Sequence, residues 1–113
     1  MHFSFTGSHI DRRLIDGFRS DAERLVKEIT EALTHRKYDA VRDCAHALKG
    51  GAASVGATQL TQLARKIEQS GGETLRLRSA QIIEELLKTS ALTLRLLDEH
   101  LDQRSSASRT SKS

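Results

Sequence analysis

The chain has 113 residues, one cysteine, no proline and a formal net charge of +3, a length that suits one small domain with a single apolar core. A lone cysteine makes no internal disulfide, no apolar run approaches the roughly 18 residues that cross a bilayer, and the start lacks a basic region followed by an apolar stretch, so a reducing, cytoplasmic setting is expected. The basic balance does not mark a nucleic-acid binder: Arg104, Arg109 and Lys112 follow the last acid, Asp102, and residues 1–103 carry 15 basic and 15 acidic groups.

The scarcity of aromatic residues and the wealth of Leu, Ala, Glu, Lys, Arg and Gln favour an all-α fold. Residues 1–7, with Phe3 and Phe5, read as an N-terminal extension. Ser8 caps a short first helix to about Gly17, with Ile10, Leu14 and Ile15 on its apolar side. Phe18, Ala22, Leu25, Ile29 and Leu33 recur at spacings of four, three, four and four, which predicts a second helix ending in Thr34 to Lys37. Asp39 opens a third, stopped at Gly56, where a left-handed C-terminal cap is wanted. Thr58 to about Ser70 makes a fourth with Leu60, Leu63, Ala64 and Ile67 inward, closed by Gly71 and Gly72. A last helix, started at Thr74 or Ser79 and carrying Ile83, Leu87, Leu94, Leu97 and Leu101, runs to Asp102 or Gln103. Residues 104–113 have no apolar periodicity and read as a disordered polar tail. Long amphipathic segments joined by short turns predict an antiparallel up-and-down four-helix bundle over residues 8–103, with the short first helix across one end.

The third helix concentrates the chemistry. At about 100° per residue, Val41, Cys44, Leu48, Ala52 and Val55 share one side, while His46 lies opposite with Asp39, Arg42, Asp43, Gly50 and Ala53. Lys49 stands on the flank of the same wet face. A glycine inside a helix costs about 1 kcal/mol relative to alanine, so Gly50 and Gly51 together require a reason. Gly50, one turn past the imidazole, clears a flat landing surface. Gly51 points about 140° away, toward the core edge, for close helix packing.

Other chemistries fit poorly. No two of the five histidines are three or four residues apart and Cys44 faces the core, which argues against zinc. Ser54 lacks an oxyanion-hole signature, and Gly50-Gly51 follows no strand, so neither hydrolase nor ATP-binding patterns are present. His2, His9, His35 and His100 read as surface polar residues. What remains is His46 as nucleophile, its cargo a phosphoryl group and Lys49 a point positive charge beside it.

The pattern His46-x-Leu48-Lys49-Gly50-x-Ala52-x-x-Val55-Gly56-Ala57 resembles the signature of the histidine-containing phosphotransfer (HPt) domain. The similarity extends from Phe18-x-x-Asp21 to Leu63-Ala64-x-x-Ile67-Glu68 and covers roughly residues 15–100. Where many relatives have serine after Lys-Gly, this chain has Gly51, then Ala52 and Ala53. The resemblance implies a four-helix bundle in which Nε2 of His46 accepts a phosphoryl group from a receiver-domain aspartate and passes it to another receiver. It points to Glu68 as the residue on the other ring nitrogen; Asp43, one turn before His46, is a local rival, and Glu68 paired with Arg65 or Lys66 is the plain alternative. Arg42, Gly50 and Ala53 would dock the receiver. The chain itself would need no cofactor, Mg2+ belonging to the receiver, and would act as a monomer, without nucleic acid or membrane contact. It suits the output module of a hybrid sensor histidine kinase, at the cytoplasmic end of a membrane-bound protein. A helical adaptor docking through the Gly50 face without phosphate is the competing function, and a bundle that binds nucleic acid through the basic tail a third.

Overall fold

The computed structural model describes residues 12–110, with side chains placed over residues 12–101. Five helices follow in order: α1 (Arg12–Thr34), α2 (Tyr38–Ser54), α3 (Thr58–Glu68), α4 (Gly72–Leu77) and α5 (Ser79–Thr110), with no strand among the described residues. Packing runs from α1 to α2, α2 to α3, α3 to α5 and α5 back to α1, which closes a four-helix bundle as the amphipathic pattern predicts. The connections after α1 and α2 are three residues each, too short for anything but antiparallel neighbours.

Ile15, Ile29, Val41, Ala45, Leu48, Ala52, Leu60, Ala64, Leu86 and Leu97 are at most 1% exposed and form the centre of one core. Alanines at 45 and 52 on α2 and at 64 on α3 are fully buried and bring no side chain beyond a methyl, which suits close packing of these helices.

Both tight turns end in the same device. After α2, Gly56 adopts φ 72°, and its amide and that of Ala57 return to the carbonyls of Ala53 and Ala52 at 3.1 and 2.9 Å, the paired bonds of a Schellman cap. After α1, Arg36 takes φ 59°, while the Arg36 and Lys37 amides return to Leu33 and Ala32 at 3.2 and 2.8 Å.

Several boundaries differ from the sequence reading. The first two expected helices are one: α1 passes through Gly17 without a break, because Ile15, Phe18 and Ala22 continue a single buried stripe that outweighs one glycine. Leu14, expected inward, is 38% exposed, and the proposed cap at Ser8 lies outside the described residues. The extra short helix is instead α4, whose Leu75 is fully buried. Of the two starts expected for the last helix, Ser79 is the one that opens α5, while Thr74 lies inside the separate α4, with only Arg78 between the two helices. The inward face of α5 is Ile82, Leu86, Ser90, Thr93, Leu94 and Leu97; Ile83 is only partly buried and Leu87 is 53% exposed. Ser90 and Thr93 tolerate burial because their hydroxyls donate to the Leu87 and Thr89 carbonyls one turn back. On α2 it is Ala45, not Cys44, that is fully buried. Cys44 packs at the core edge with its thiol 3.5 Å from Glu28, and burial pushes that thiol up from its ordinary range. Finally, α5 continues to Thr110, past the expected end at Asp102 or Gln103, so residues 104–110 are helical in backbone rather than the start of a disordered tail. No proline or glycine after Leu101 stops the helix.

Candidate functional site

His46 and Lys49 project from the middle of α2, and Glu68 is the last residue of α3. The Glu68 carboxylate joins all three. Its Oε2 lies 2.6 Å from His46 Nδ1, and its Oε1 accepts from Lys49 Nζ at 2.6 Å. A carboxylate only accepts, so Nδ1 must carry hydrogen, and in the neutral ring this leaves the lone pair on Nε2. The histidine side chain is 69% exposed, against 28% for Lys49 and 25% for Glu68. The imidazole thus stands out from a half-buried acid-base pair at its foot.

Lys49, and after it His46, hold the Glu68 carboxyl below the ordinary glutamate range, while partial desolvation opposes them. Glu68 rather than Asp43 makes the contact to the ring, and its carboxylate is taken by Lys49 rather than by Arg65 or Lys66. The reason is geometric: α3 runs antiparallel to α2, and its last turn comes level with His46.

The two glycines separate as the helical wheel predicts. A Cβ at Gly50 would meet nothing within 4 Å, so that surface is bare. A Cβ at Gly51 would sit 3.7 Å from Phe18 Cδ1, an ordinary contact. Gly51 does face α1, but close packing does not demand a glycine there. Ala53 is exposed on the His46 face. Arg42 is committed elsewhere: its guanidinium binds Asp39 at 2.5 Å and reaches the Ser70 carbonyl at 3.4 Å, tying the start of α2 to the chain beyond α3.

Two surface concavities are of similar size. One, of about 570 Å3, lies between α1 and α5 against Val26, Thr30, Leu87 and Leu94, with no member of the His46 cluster in its wall. The other, of about 540 Å3, lies between α1 and α2, lined by Leu14, Gly17, Phe18, Asp21, Gly51 and Ser54. This second groove includes Gly51, next in the chain to the bare Gly50, and no sequence expectation covers it. Its signal was Leu14, an apolar residue off the α1 stripe, disguised by the expected helix break at Gly17.

The sequence profile of the Hpt domain matches residues 13–107. The chain belongs to the Hpt domain family. Its role is accordingly histidine phosphotransfer in a phosphorelay, in which Hpt proteins work with response-regulator receivers. The crystal structure of histidine-containing phosphotransfer protein B (HptB) from Pseudomonas aeruginosa PAO1 is similar in fold, with a TM-score of 0.70 at 24% identity over 87% of this chain and 98% of that one. No curated protein matches the sequence. Among the described residues of this Hpt domain, no helix is long and apolar enough to cross a membrane, and no cluster of three or more His, Cys, Asp or Glu could hold a metal ion.

Proposed function

We propose that Nε2 of His46 is the phosphoacceptor, charged by the aspartyl phosphate of one receiver domain and discharged to the aspartate of another. The Nε2 lone pair forms the N–P bond, the P–O bond to aspartate breaks, and its electron pair stays on the aspartate carboxylate. The observation that carries this reading is the division of the ring: Nδ1 is held by Glu68 while the other edge of the imidazole faces solvent. Glu68 orients the ring and stabilises the positive charge that the phosphorylated imidazole acquires. Lys49 supplies positive charge to the phosphoryl oxygens, acting as a point charge rather than a fork. Gly50 and Ala53 admit the receiver, and Arg42 keeps the start of α2 in place at the rim of that surface. The groove containing Leu14 extends the same face toward α1.

Under this reading the Hpt chain carries no cofactor or ATP site of its own, and the Mg2+ of the reaction sits in the receiver. It works as a monomer in the cytoplasm, without nucleic acid, as the output module of a hybrid sensor kinase. His46→Gln should abolish acid-labile, base-stable labelling by a phosphorylated receiver. Full labelling of that variant would remove His46 from the pathway, and intact signalling by it would favour a phosphate-independent adaptor.

A further inference from the structure

In the resting site the ammonium of Lys49 is already bound. Glu68 shares its two oxygens between His46 Nδ1 and Lys49 Nζ, each at 2.6 Å, and with a neutral ring, which lends only a hydrogen bond, Lys49 is the full counter-charge of the carboxylate. We propose that Glu68 exchanges partners during phosphoryl transfer: it holds Lys49 while His46 is free and releases it to the phosphoryl group once His46 is phosphorylated.

The inference rests on His46 being the phosphoacceptor and follows from the charge balance of that step. As Nε2 forms its bond to phosphorus, Nδ1 keeps its proton, so the ring becomes cationic directly against Glu68 Oε2. At the same moment a phosphoryl group with two negative charges stands on the other side of the ring. At equal distance a dianion attracts an ammonium twice as strongly as a single carboxylate does. Glu68 thus gains a cation on its ring side as Lys49 gains a better anion. Lys49 lies one turn from His46 on α2, and its flexible four-carbon stem can swing the ammonium between the two anions without moving the backbone. Discharge to a receiver reverses every charge change and returns Lys49 to Glu68. The arrangement also keeps the resting site from presenting a free cation to any passing anion.

The test uses the full chain labelled on His46 with potassium phosphoramidate, whose P–N bond breaks with release of ammonia. NMR of the lysine ammonium and glutamate carboxyl groups should show one ammonium lost from the spectrum in Glu68→Gln, and both the Lys49 and Glu68 resonances moving on phosphorylation. A double-mutant cycle supplies the second readout, since glutamine still accepts from Nδ1–H but cannot neutralise an ammonium. Lys49→Met should slow labelling about twofold beside Glu68 and about fivefold or more beside Glu68→Gln, the difference being the size of one exposed ion pair. Equal slowing in both backgrounds, or a phosphorylated His46 with unmoved Lys49 and Glu68 resonances, overturns the exchange. Absence of label on His46, from phosphoramidate and phosphorylated receivers alike, overturns the phosphoacceptor reading instead.

Discussion

Glu68 occupies a place that helix electrostatics disfavour, since an acid at a helix C-terminus meets the negative end of the dipole. Only its two partners on α2 account for it. Because its folded value is lowered, Glu68 contributes stability that is fully present above the ordinary glutamate range and is lost as pH falls through the lowered value. Carbon-detected titration should therefore find its midpoint below that range, and Lys49→Met should raise the midpoint more than His46→Gln does, because the ammonium is the larger cause. A wild-type midpoint at the ordinary value would contradict the paired geometry. Gly50 makes the opposite case, a residue with no structural duty. Since a side chain there meets nothing, Gly50→Leu should raise thermal stability, consistent with the roughly 1 kcal/mol penalty of a helical glycine, while abolishing receiver binding in a calorimetric titration. Undiminished binding would move the docking surface elsewhere.

At the scale of the element, α1 shows how a buried stripe overrides a local breaker. Its eight buried residues, from Ile15 to Leu33, bind the helix to the core along its length, and one exposed glycine at 17 cannot interrupt that. The ends of α1 and α2 solve one problem with different residues. Gly56 enters the left-handed region freely, whereas Arg36 does so against its Cβ. Arg36→Gly should accordingly stabilise the protein by about 0.5–1 kcal/mol in urea unfolding, unlike most arginine-to-glycine changes. A loss of stability would mean that the arginine side chain contributes more than its backbone costs.

For the whole molecule, the site depends on the bundle only through one helix pair. The α2–α3 contact sets the level of Glu68 against His46, while α1 and α5 complete the core behind it and are joined at the surface by the Arg19–Asp98 ion pair. Leu97, fully buried on α5, tests whether the four corners form one cooperative unit. Leu97→Ala should cost about 2–5 kcal/mol and shift the unfolding of every helix together, followed by circular dichroism and by the Glu68 resonance. A transition in which the Glu68 signal survives the loss of α5 would show that α2 and α3 stand alone.

The sequence by itself determined the all-α class, the bundle, the cap at Gly56 and the face shared by His46, Lys49 and Gly50, because each depends on spacing along one helix or on the backbone freedom of one residue. Family resemblance points to Glu68, with Asp43 its local rival, and no local rule chooses between them: Asp43 lies on the helix of His46, whereas Glu68 lies 22 residues on across a helix pair. Tertiary structure decided that question by setting the level of α3 against α2. It likewise decided that α1 is continuous and that α5 turns Ile82 and Leu86 inward rather than Ile83 and Leu87. Both sets on α5 satisfy the 3.6-residue period, and only neighbouring helices can select between two apolar stripes one residue apart.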